Sequence, residues 1–126
     1  YRNKGIVFLG GIFNKIDLDN IRHYSKLYIH GHSVGGTNPA LLEAMAAKTL
    51  ILAHNNKFNR SVLAENAFYF SSCDELSKLF KQDLELKKPE FIFNNLNKID
   101  KVYRWPVVVD QYEAYFERIL RESKKQ

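Results

Sequence analysis

Between Leu27 and Ala47 the chain reads LYIHGHSVGGTNPALLEAMAA: a short apolar run, a loop of Gly, His, Ser, Thr and Asn, a proline, then a helix-forming segment. That order is restrictive. A strand that ends in glycines and passes straight into a helix start is the unit of parallel α/β sheets, and it sets helix-terminal N–H groups at the strand's carboxyl end. Thr37 or Asn38 suits the cap position and Pro39 the first helical residue, followed by a helix over Ala40 to Ala47.

The flanking sequence repeats the theme. Gly5-Ile6-Val7-Phe8-Leu9-Gly10-Gly11 predicts a buried parallel strand, and Asp17 or Asp19 is expected to cap a short helix carrying Ile21 and Tyr24. Lys26 to His30 reads as the second strand and Thr49 to Ala53 as the third. A helix around Asn59 to Glu65 follows, then a fourth strand over Ala67 to Phe70. Ser71 or Ser72 leads into a helix over Asp74 to Lys81, with Leu76, Leu79 and Phe80 at helical spacing. Such alternation predicts an α/β fold: a doubly wound, Rossmann-like parallel sheet with flanking helices. Right-handed crossovers would bring the loops Gly10 to Asn14, Gly31 to Pro39 and His54 to Asn59 to one edge.

Beyond Lys88 only helical spacing remains, so the chain is expected to close with two helices. Pro89 can start one with an apolar face of Ile92, Leu96, Ile99 and Tyr103. Pro106 can start another with Val109, Tyr112, Phe116, Ile119 and Leu120. Both stripes are expected to face the core, with Trp105 as a packing anchor.

Composition narrows the class. A length of 126 residues suits a single domain over 1–126, and a hydrophobic content of 45% excludes a disordered chain. No apolar run reaches the length of a membrane span. The first residue is Tyr, from which a piece of a longer protein is expected. The lone Cys73 allows no internal disulfide, which fits a reducing, cytoplasmic setting; without a nearby histidine it reads as non-catalytic. The net charge of +5 would favour phosphate-bearing ligands or an anionic membrane surface, but a solvated lysine-rich surface is the preferred reading. Basic and aromatic residues are not interleaved, so no nucleic-acid partner is expected. The basic tail Arg118, Arg121, Lys124 and Lys125 closes a helix, where cations suit the dipole.

Two chemistries compete for the central loop. Gly31-His32-Ser33-Val34-Gly35 matches the G-x-S-x-G nucleophile elbow. A serine elbow needs a general base and an acid in the order Ser, acid, His. Downstream of Ser33 the only histidine is His54, and the only carboxylate between them is Glu43. The helix also starts several residues too late for an elbow. The other chemistry needs no nucleophile: Gly35 and Gly36 allow close approach, the N–H groups of Thr37, Asn38 and the turn after Pro39 meet a diphosphate, and Glu43 reaches the vicinal hydroxyls of a ribose. Gly10, His54 and Asn55 are weaker donor-site candidates from neighbouring loops, with Asn56 beside them. His30 and His32 are read as pointing to opposite sides of the extended chain, so no metal site is predicted.

Gly36-Thr37-Asn38-Pro39-Ala40-Leu41-Leu42-Glu43-Ala44-Met45-Ala46 resembles the signature of GT-B-fold, family-four-like retaining glycosyltransferases. The wording H-S-V-G-G-T-N-P looks closest to a bacterial subgroup of rhamnosyltransferases of surface-polysaccharide synthesis. The resemblance extends to Val7-Phe8-Leu9-Gly10, Thr49 to Ala53, Asn59-Arg60-Ser61-Val62-Leu63, Phe68-Tyr69-Phe70 and Tyr103-Arg104-Trp105. It implies the C-terminal, nucleotide-sugar-binding half of a two-domain enzyme, inactive by itself. The whole enzyme would move a sugar, such as rhamnose, from a nucleotide-diphosphate donor to a saccharide or lipid-linked acceptor of a growing bacterial polysaccharide. The acceptor would sit in an N-terminal domain outside this chain. The resemblance further implies no cofactor or metal, and a cytoplasmic location with peripheral association at the inner membrane face. Glu43 falls on the family's ribose-holding glutamate. Its first glutamate, associated with the donor sugar, falls on Gly35, leaving His32 or Asn38 as substitutes and His32 as the one catalytic candidate. A nucleotide-binding module without catalysis is the third reading of the same residues.

Overall fold

The sheet is organised around β2 (Ile51–His54), whose apolar residues leave neither face free for water. In the computed structural model, which describes residues 5–123, Leu50 and Ile51 are 1% exposed and Leu52 and Ala53 are fully buried. A strand apolar on both faces must be covered on both, the requirement that parallel sheets with flanking helices meet. β2 pairs in parallel with β1 (Tyr28–His30) on one side and β3 (Phe68–Phe70) on the other, with Ala53 opposite His30 and Tyr69.

Alternation along β2 then divides the core. Ile51 and Ala53 pack against Leu41, Ala44 and Met45 of α2 (Pro39–Ala46) and Val62 and Leu63 of α3 (Lys57–Leu63). Leu50 and Leu52 face the other way, onto Phe70, Leu84 and Phe91, with Leu76 and Leu79 of α4 (Cys73–Leu79) at the margin. α5 (Lys88–Lys98) starts on that second side, where the Phe91 ring lies 5.2 Å from Phe68. It runs into a π-helical turn (Ile99–Tyr103), where Ile99 and Tyr103 join the cluster on the α2 side. α6 (Trp105–Ser123) follows.

Helix starts follow side-chain chemistry. Asn38 Oδ1 accepts the Ala40 N–H at 2.9 Å, Asn56 Oδ1 accepts those of Phe58 and Asn59, and Ser72 Oγ accepts that of Glu75. Each cap supplies an acceptor to a helix-terminal N–H that has no intrahelical partner. Asn38 is thus the cap and Pro39 the first helical residue of α2. α1 (Lys15–Tyr24) is capped by Asn14, not by Asp17 or Asp19, because the helix starts one turn earlier than the apolar spacing suggests.

Several expectations require correction. Gly5–Gly11 forms no strand, and Ile6, Val7, Phe8 and Leu9 are exposed. A strand needs a ladder partner and a covering layer; this run takes up neither, and among the described residues the outer edge of β1 stays unpaired, with Ile29 on it open to solvent. The sheet therefore has three strands, in the order β1-β2-β3. Their order never reverses, so it is not doubly wound among the described residues. In α1 the buried residue is Arg22, while Ile21 and Tyr24 are exposed. In α5 the buried positions are Phe91 and Asn95, with Ile92 and Leu96 half-buried: the face turned to the core is one residue round the helix from the one the apolar spacing suggests. The α6 stripe faces solvent: Val109, Tyr112, Phe116, Ile119 and Leu120 are exposed, and Trp105 is 79% exposed instead of anchoring a core. Helical periodicity identifies an apolar face but not what covers it. Lys124 and Lys125 lie outside the described residues.

Truncation separates the two kinds of apolar position. Leu52→Ala in the fully buried strand should cost about 2–5 kcal/mol in a denaturant titration, whereas Leu120→Ala on α6 should stay within about 0.5 kcal/mol. Equal costs would contradict this placement of the core.

Candidate functional site

Parallel strands present their carboxyl ends together, and here two of the three expected loops meet. The His32 carbonyl, just past β1, accepts from Asn56 Nδ2 at 2.9 Å and from Asn59 Nδ2 at 3.1 Å. Asn59 is buried and also donates to the His54 carbonyl at 2.9 Å, so one carboxamide ties the ends of β1 and β2 together. The loop Gly31 to Pro39 is thereby closed over the start of α3. Gly10 to Asn14 contributes nothing to this wall; Gly10 is exposed and has open space around it.

Between the loop and α3 lies a cavity of about 140 Å³, lined by His32, Gly35, Gly36, Thr37, Asn38 and Asn59 with Val34, Pro39, Asn56 and Phe58. Such a volume suits a phosphate-sized group rather than a whole nucleotide sugar. Among the described residues, the backbone N–H groups of Gly35, Gly36, Thr37 and Asn38 meet no protein acceptor, whereas that of Ala40 is taken by Asn38. The donors open to a ligand are thus Thr37 and Asn38, as the sequence suggests, joined by Gly35 and Gly36, while the amides of the turn after Pro39 are taken by Asn38. Lys57, with Nζ 5.1 Å from the Phe58 ring centroid, sets a cation beside the same wall.

Gly35 has φ +119, a conformation that L side chains rarely adopt. A side chain as large as glutamate at this position would strain the loop. Gly36 has no such φ and stands in open space, so close approach is its only use.

Glu43 lies apart from the cavity. Its Oε2 is 2.8 Å from Arg22 Nη2 on α1, and its side chain borders a groove of about 320 Å³ with Lys15, Asp19, Asn20, His23 and Lys48. The two recesses share α2, and Glu43 follows Pro39 by four residues, about 6 Å along the helix axis.

His30 and His32 point to the same side, correcting the sequence reading. Residues two apart on an extended chain share a face, and the two rings stack with centroids 5.1 Å apart and planes 20° from parallel. Tyr28 extends the stack on the other side of His30 at 6.0 Å. His30 is 1% exposed and its Nε2 has no hydrogen-bond partner. Burial holds its pKa below the usual value, and the neighbouring His32 lowers it further.

The weaker candidates turn elsewhere. Asn55 Oδ1 accepts from Arg60 Nε at 2.6 Å and its Nδ2 donates to Ser71, toward the β3–α4 corner. The His54 ring packs edge-on against Phe70. Ser33 is exposed, α2 starts six residues beyond it at Pro39, and no elbow geometry forms. Sequence reasoning undervalued Asn56 and Asn59 and missed Arg22. A signal existed for Asn59: it shares a helical face with Val62 and Leu63, and an amide on an apolar face requires buried partners.

Two measurements check this geometry. Gly35→Ala should destabilise the protein by about 1–3 kcal/mol in denaturant; a neutral result would refute the left-handed loop conformation. For His30 the folded pKa lies below the unfolded value of 6.5, so the unfolded state binds the proton first. Its stabilisation is full above pH 6.5 and is lost as pH falls toward and through the folded value. The melting temperature should drop over that window, and His30→Phe should flatten the drop.

Comparison of the chain with family models, with curated proteins and with solved structures returns no match.

Proposed function

We propose that this chain is the donor-binding half of a GT-B-type retaining glycosyltransferase. It would move a sugar, rhamnose by resemblance, from a nucleotide diphosphate to a bacterial surface polysaccharide. The observation that carries the reading is the cluster of unpaired loop N–H groups from Gly35 to Asn38 around a phosphate-sized cavity at the carboxyl edge of a parallel sheet. The likeness of Gly36 to Ala46 to the family signature supports it. Physically, a departing nucleoside diphosphate gains negative charge as the glycosidic bond lengthens, and fixed N–H dipoles aimed at that charge stabilise it without reorganising. The α2 dipole adds to this, and Lys57 places a positive charge over Phe58 of the cavity wall.

Within this reading Glu43 holds the ribose, and the acceptor belongs to a second domain. His32 lines the cavity, and within this reading it is the candidate of this chain for contact with the transferred sugar. The described residues contain no helix long and apolar enough to cross a membrane. The reading places the enzyme in the cytoplasm, where peripheral contact with the inner membrane face would give access to a lipid-linked acceptor.

Calorimetric titration of the chain with UDP, dTDP and GDP tests the proposal. At least one should bind, and Glu43→Ala should weaken it by about tenfold or more, the worth of a charge-assisted hydrogen bond. Thr37→Pro, which removes one loop N–H, should weaken inorganic pyrophosphate as well. Absence of binding by all three nucleotides would refute the donor-site reading.

A further inference from the structure

Arg22 is the charged residue that α1 buries, and it is buried against Glu43. Its side chain is 9% exposed; Nη2 lies 2.8 Å from Glu43 Oε2, and Nη1 is 3.7 Å from Asp19 Oδ1 without a hydrogen-bond partner. As a staple between α1 and α2 this arrangement is poor. A buried guanidinium is stabilising when its donors are filled, ideally by a two-pronged carboxylate contact, and a buried unpaired N–H costs free energy. Glu43 meanwhile keeps its side chain 44% exposed, and its Oε1 makes no contact to protein hydrogen-bond donors among the described residues. One carboxylate oxygen is held by Arg22, on a side chain that stays partly open to solvent.

We infer that Arg22 is a positioning residue of the donor site: it fixes the Glu43 carboxylate so that Oε1 is presented to a sugar hydroxyl of the nucleotide. This rests on the reading of Glu43 as the ribose contact. A free glutamate at this exposure samples several rotamers, and binding would have to select one of them. Arg22 removes that choice beforehand, because its own head group is locked between α1 and α2. The Glu43 side chain borders the groove of about 320 Å³ with Lys15, Asp19, Asn20 and His23, and α2 carries both this groove and the phosphate-sized cavity.

The test is the ratio of affinities for a nucleoside diphosphate and its 3′-deoxy form, measured by calorimetry for UDP, dTDP and GDP. In the unmodified protein the hydroxyl should be worth about tenfold for whichever nucleotide binds. Arg22→Gln and Glu43→Gln should each bring that ratio toward one, while affinity for inorganic pyrophosphate stays unchanged. Arg22→Lys keeps the charge without the fork and should give an intermediate ratio; it decides the matter if Arg22→Gln does not fold. A helix staple alone would lower the melting temperature and weaken nucleotide and pyrophosphate together. A ratio unchanged in the folded Arg22 variants, or a ratio of one in the unmodified protein, overturns the inference while leaving nucleotide binding intact. Failure of the unmodified protein to bind any of the three nucleotides overturns the donor-site reading and the inference with it.

Discussion

The burial of β2 on both faces is the constraint on which the rest of the structure depends. A strand with Leu50 and Leu52 on one side and Ile51 and Ala53 on the other cannot exist without two layers around it. α2 and α3 supply one layer; α4, Leu84 and the start of α5 supply the other. Parallel pairing with β1 and β3 follows, since each connection is a helix that must cross the sheet. The carboxyl ends of the strands then fall together, and with them the loop that carries the unpaired amides.

The candidate site is a consequence of polar groups that the core cannot leave unsatisfied. Asn59 sits on the buried face of α3, and its carboxamide finds the carbonyls of His32 and His54. Asn56 serves twice, capping α3 through Oδ1 and holding His32 through Nδ2. Two asparagines thus fix the position of a loop whose own N–H groups remain available. The hydrogen bonds that close the sheet edge also shape the cavity. The Tyr28–His30–His32 stack lines the same strand end, with the buried His30 imidazole between the other two rings.

How far the sequence carried depended on whether a signal was local. The cap at Asn38, Pro39 as first helical residue, the Cys73–Leu79 helix after Ser72 and the alternation of strands with helices were all legible, because each rests on chemistry within a few residues. The apolar run of Ile6 to Leu9 and the stripe on α6 misled for one reason. Hydrophobic pattern states that a surface prefers burial, and only a partner can bury it. The histidines failed through parity: one residue of spacing reverses a side chain, two restore it. Glu43 was placed correctly on α2, but its partner Arg22 lies on another element, so its orientation toward α1 had no local signature.

What the sequence determined by itself is therefore a parallel α/β order, a glycine-rich loop ahead of a proline-started helix, and a glutamate one turn along it. These are written in propensity, capping and spacing, which act over a turn or two of chain. Tertiary structure alone decided that Asn56 and Asn59 would clamp the loop, that Gly35 would take a conformation closed to a glutamate, and that Arg22 would pin one oxygen of Glu43. Those outcomes depend on which groups the packed sheet brings within hydrogen-bond reach, and on the free-energy cost of leaving a buried polar group unpaired.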